Sequence, residues 1–96
     1  MFMFKVFITA SAKKSAKKLP KEIRQNIIDK SKKLKINPYL GEKLSGSLHF
    51  LYSFHFKIKG VQYRLAYTIN KPKKLIVVHL ISKREGFYNR LKMLFR

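Results

Sequence analysis

Cysteine and tryptophan are missing from the 96 residues, and acidic side chains are scarce. Without cysteine the chain has neither disulfides nor thiolate metal sites. The acids are Glu22, Asp29, Glu42 and Glu85, four against 23 Lys and Arg. They are too few and too scattered to cradle a magnesium ion in carboxylates. Histidine occurs at His49, His55 and His79 without zinc-like spacing, so neither a metal nor a cofactor is expected. No apolar run is long enough to span a bilayer. The opening MFMFKVFI is interrupted by Lys5 and has no basic leader or signal-type cleavage site, so it reads as a strand. A cytoplasmic protein with no membrane association is expected.

What the chain has in excess is positive charge. The formal net charge is +19, which attracts polyanions: RNA, DNA or an acidic protein partner. Hydrophobic residues make up 46% and aromatics 14%, which rules out a disordered basic tail. The length suits one domain, residues 1–96, with a modest core.

Tyr52 to Tyr67 carries the clearest pattern, which continues to Ile69. Tyr52, Phe54, Phe56 and Ile58 alternate with Ser53, His55 and Lys57; beyond Lys59-Gly60, Tyr63, Leu65, Tyr67 and Ile69 alternate with Gln62, Arg64, Ala66 and Thr68. This is a β-hairpin with one greasy and one polar, basic face. A two-residue turn at Lys59-Gly60 sets Phe56 opposite Tyr63 and His55 opposite Arg64. A slip by one residue would drive Arg64 into the core, so that register is specified. Ser53, His55, Lys57 and Arg64 are thereby expected to cluster on an open sheet face. Imidazole titrates near neutrality, which suits His55 to acid–base work. The plain alternative for Arg64 is a solvated cation on a basic surface. His79, in an apolar run, reads as a packed structural histidine, and Tyr63 and Tyr67 as core.

The remaining elements follow from period and punctuation. Phe2 to Thr9 alternates as a strand. Ser11 to Leu19 forms a lysine-rich helix with Ala12, Ala16 and Leu19 as its apolar stripe and Ser11 as its cap. Pro20 opens a second helix to Lys35, with Ile23, Ile27, Ile28 and Leu34 facing inward. Asn37-Pro38 stops it, and Tyr39 to Leu48 is a connection. Leu75 to Ser82, LIVVHLIS, reads as a strand buried on both faces. In the tail from Lys83, Phe87, Leu91, Leu94 and Phe95 recur at helical spacing. The fold expected is α/β (α+β): a small twisted antiparallel sheet, order β-α-α-β-β-β-α, with a helical hairpin packed on one face.

That order carries particular words: LPKEIRQNI, then NPYLGEKLSGSL, YRLAYTI, and ISKREGFYNRL at the close. With them the chain resembles the RelE/ParE superfamily, the toxins of type II toxin–antitoxin systems. The resemblance covers nearly the whole chain and is most specific in the last two segments. It implies a toxin neutralised by an acidic antitoxin, and for many members a ribosome-dependent, metal-free endoribonuclease that cuts mRNA by attack of a ribose 2′-hydroxyl. On that pattern Arg64 stabilises charge on the phosphate, Arg84 assists the phosphate or leaving group, and Tyr88 stacks on a base or moves a proton. His55 is the candidate general base, and Lys57, Lys59, Lys83 and Ser53 are expected to contact RNA. Active RelE-type relatives carry strand lysines where this chain has Ser53 and His55. That departure keeps two alternatives in play, a ParE-like inhibitor of DNA gyrase without nuclease activity and a non-toxic RNA-binding module.

Overall fold

In the computed structural model, which describes residues 3–96, the hairpin forms in the expected register. Strand β3 (Tyr52–Ile58) runs antiparallel to β4 (Val61–Asn70), with His55 opposite Arg64 and Phe56 opposite Tyr63. Lys59 and Gly60 both take positive φ, 50° and 82°, the backbone of a two-residue turn whose twist matches that of the strands.

Around the hairpin the sheet has five strands in the order β1-β5-β4-β3-β2. Strand β5 (Leu75–Lys83) lies inside, antiparallel to β4 and covered on both faces. Its other neighbour, β1 (Lys5–Ile8), pairs with it in parallel, so the sheet is mixed rather than antiparallel throughout. Alternation in sequence marks a strand's two faces but not its direction, and direction is what differs here. The expected start of β1 at Phe2 lies outside the described residues. Strand β2 (Glu42–Lys43) was expected as connection. It is a two-residue edge strand set against Ser53 and Tyr52, between 3₁₀ turns at Pro38–Leu40 and Gly46–Leu48.

One face of the sheet carries α1 (Ala10–Ala16), α2 (Lys21–Ser31) and the short α3 (Lys33–Ile36). The cap of α1 is Thr9, not Ser11: its Oγ1 accepts from the Ala12 N–H at 3.1 Å, two residues earlier than the lysine run suggests. Pro20 stands just before α2 rather than inside it. The second helix is also shorter than expected. It breaks at Lys32, whose N–H turns to Asp29 O, and resumes as α3 so that Leu34 reaches the core. Ile23 and Ile27 are buried with it, whereas Ile28 is exposed on the flank of the stripe. These residues pack on Leu65, Tyr63, Tyr67, Ile76 and Val78.

The opposite face is not open. Helix α4 (Phe87–Leu94), entered through Gly86 at φ 72°, lays Phe87 and Leu91 over Ala66 and Leu80, with Leu48 and Leu51 closing a second, smaller core. It starts at Phe87, four residues beyond Lys83, and leaves Leu94 exposed. Tyr67 pins the connection from the first face: its hydroxyl donates to Pro38 O at 2.6 Å and accepts the Gly41 N–H at 3.0 Å. A Cβ on residue 41 would lie 2.5 Å from that oxygen, so glycine is what lets the chain pass.

Candidate functional site

Residues from four segments meet where β3 and β4 emerge from beneath α4. His55 and Arg64 are cross-strand partners, and their side chains rise on the α4 side. Arg64 Nη1 donates to the Tyr88 hydroxyl at 2.8 Å, and its guanidinium lies 5.3 Å from the Tyr88 ring centroid and 6.0 Å from that of Phe87. The first turn of α4 therefore fixes where this cation sits. Arg64 Nε is buried without a hydrogen-bond partner among the described residues, which leaves a donor unspent. Arg84 follows β5, its N–H bonded to Gln62 O, and is near enough for its charge to act on His55.

Glu42 is the member that periodicity misses. From the edge strand its Oε2 comes within 3.5 Å of His55 Nε2. A two-residue strand inside a Gly- and Ser-containing connection has no alternation to read, so nothing in the sequence brings this acid to the site. The His55 pKa is lowered, first by burial and then by Arg64, with Arg84 adding to the effect and Glu42 opposing it. The ring is thus held neutral at pH 7, with a lone pair available to take a proton.

The other expected contacts divide. Lys57 is exposed on the same face as His55. Ser53 has no accessible surface and its hydroxyl is buried without a partner among the described residues, so it does not present itself to RNA as expected. The reason is that α4 and the Leu48–Leu51 segment cover the inner end of that face. Lys59 swings from the turn to the first helical layer and pairs with Glu22 at 2.6 Å, away from the cluster. Lys83 is exposed but is registered with Tyr63, on the α1–α2 side. His79 is half-buried, its Nε2 3.0 Å from Thr68 Oγ1 and its ring 5.2 Å from that of Phe95. His49 is exposed, its Nδ1 against Gly46 O. Among the described residues no three His, Asp or Glu side chains converge as metal ligands, and no helix is long and apolar enough to cross a membrane.

A family model described as ParE-like toxin of type II bacterial toxin–antitoxin systems matches residues 6–92. The chain belongs to this family. Solved structures agree with the ParE-like toxin in fold. The toxin–antitoxin complex RelBE2 of Mycobacterium tuberculosis is similar with a TM-score of 0.73 at 25% identity, over 85% of this chain and 99% of that one. A mutant Escherichia coli RelE toxin in the free state gives 0.72 at 20% identity, over 97% and 98%. The archaeal RelE–RelB complex of Pyrococcus horikoshii gives 0.63 at 22% identity, over 86% and 97%. No curated protein matches the ParE-like toxin by sequence. It is a type II toxin of the RelE/ParE superfamily, with the mixed α and β architecture of the RelE structures.

Proposed function

We propose that this toxin is a ribosome-dependent endoribonuclease that cleaves mRNA without a metal ion, and that an acidic antitoxin neutralises it in the cytoplasm. The observation that carries the reading is the juxtaposition of a neutral imidazole and a guanidinium on facing strand positions, with a second arginine and a tyrosine hydroxyl beside them. His55 takes the proton of a ribose 2′-hydroxyl as its oxygen attacks the adjacent phosphorus; the bond to the 5′-oxygen breaks, that oxygen takes up a proton from solvent, and a 2′,3′-cyclic phosphate remains. Arg64, aimed by Tyr88, meets the charge that builds on the phosphate, and Arg84, whose charge reaches His55, assists the phosphate or the leaving group. Lys57 extends the cationic surface along the strand. Similar structures are those of toxin–antitoxin complexes, which supports an antitoxin partner.

The test is primer extension on mRNA from isolated, programmed ribosomes. Arg64→Ala is expected to lower cleavage on the order of a hundredfold or more, the cost of losing a transition-state donor. A folded Arg64→Ala protein with full activity would remove this face from the chemistry. Wild-type cleavage is also expected to survive treatment of the protein with EDTA before it is added to ribosomes in magnesium.

A second reading has its own support, because the matching family model is ParE-like. Inhibition of DNA gyrase would then be the activity. Loss of supercoiling by purified gyrase with the toxin, alongside intact mRNA on ribosomes, would establish it in place of the nuclease.

A further inference from the structure

A groove of about 490 Å³ opens beside the candidate site, between the segment 43–48 and the first turns of α4. It is continuous with the cluster already described, since Glu42 and Tyr88 belong to both. Its walls combine three kinds of contact. The half-exposed Tyr88 ring offers a stacking surface, Lys43 and Lys92 bring a cation from each side, and Ser45 and Ser47 carry hydroxyls that both donate and accept. Stacking face, cations and hydroxyls are what a base, a phosphate and a ribose 2′-hydroxyl require of a single-strand site, and the volume lies in the range of small-ligand pockets.

Glu42 is out of place in such a groove unless it has a task. A carboxylate repels phosphate, and the chain has just four acids in all. It is largely exposed; Oε2 lies 3.5 Å from His55 Nε2, the other oxygen has no partner among the described residues, and both oxygens keep lone pairs to accept further N–H groups. A carboxylate accepts hydrogen bonds and donates none, so it matches base edges that present N–H groups. Guanine presents two side by side, at N1 and N2; adenine and cytosine present one exocyclic amine and uracil one ring N–H.

We propose that this groove seats the nucleotide adjoining the scissile phosphate and that Glu42 selects guanine there. The inference rests on the nuclease reading and adds to it the site's substrate preference. Lys43 and Lys92 hold the backbone irrespective of sequence, while Glu42 makes the choice of base.

The test measures kcat/KM on ribosomes programmed with messages that carry each of the four bases in turn on either side of the cleavage point. The wild-type toxin should favour guanine on one side by about tenfold, the discrimination a good paired contact gives. Glu42→Gln, which turns half of the acceptor into a donor, should flatten that preference. The Lys43→Ala/Lys92→Ala double variant should lower all four rates together and leave the ratio standing. All three side chains are exposed, and melting curves verify that the variants fold; Glu42→Asp, one methylene shorter, serves if Glu42→Gln does not. A wild-type toxin that cuts without regard to either neighbouring base, or a Glu42 variant that keeps the wild-type ratio, overturns the inference alone. A wild-type toxin that cuts no message overturns the nuclease reading and this inference with it.

Discussion

His55 shows how much one ring's surroundings decide. Burial and two arginines lower its pKa, and Glu42 pulls the other way. If it is the base, the rate should be level through neutral pH and fall only below the ordinary histidine value of about 6.5. Glu42→Gln removes the opposing influence, so the acid limb of the pH–rate profile should move further down. His55→Ala should cost roughly a hundred- to ten-thousandfold, with the melting temperature little changed. A second consequence concerns stability. His55 and His79 are both held neutral, so the unfolded chain takes up protons first as pH drops through about 6.5. Stability should therefore be complete above that value and decline below it, with a shallower decline in His79→Gln, followed by thermal melts from pH 8 to pH 5. The pairing of His55 with Arg64 was legible in the sequence because a greasy face fixes register by itself. Burial of Ser53 was not, because it depends on where α4 lands, and nothing in β3 encodes that.

Among the elements, the turn from Pro38 to Gly41 is fastened from below by the Tyr67 hydroxyl. Tyr67 bonds both Pro38 O and Gly41 N, and burial pushes its pKa up to about 12, against the lowering effect of the Gly41 N–H. Tyr67→Phe leaves a buried carbonyl and an amide with one partner fewer, a loss of about 1–3 kcal/mol for a group left unpaired. In a domain of this size each kcal/mol lowers the melting temperature by about 4–8 °C. The wild-type protein should lose stability as pH climbs from about 10 towards 12, because the unfolded tyrosine ionises first. Tyr67→Phe lacks that component, so the gap between the two melting curves should narrow over that range. Because Glu42 follows directly on Gly41, the same substitution should also blunt any base preference. The hairpin, the β5 strand and the apolar stripes of the helices were legible as periodic runs. The edge strand β2 and the break at Lys32 were not, since each spans too few residues to repeat a pattern.

For the molecule as a whole, charge is the property that composition alone settles and that folding spreads over both layers. Lys13, Lys14, Lys17, Lys18 and Lys21 cover the α1–α2 side, while Arg84, Lys57, Lys43 and Lys92 surround the site. Association with an acidic partner should therefore be fast and strongly salt-dependent. Stopped-flow rates that stay flat between low and high ionic strength would contradict steering by this field. The parallel pairing of β1 with β5 has a consequence of another kind. A chain is synthesised from its N-terminus, yet Lys5–Ile8 finds its sheet partner only at Leu75–Val78. The first strand must wait for the last, and Tyr88, which aims Arg64, comes later still. The Arg64–Tyr88 contact, and the site with it, is thus assembled only after all five strands have been made.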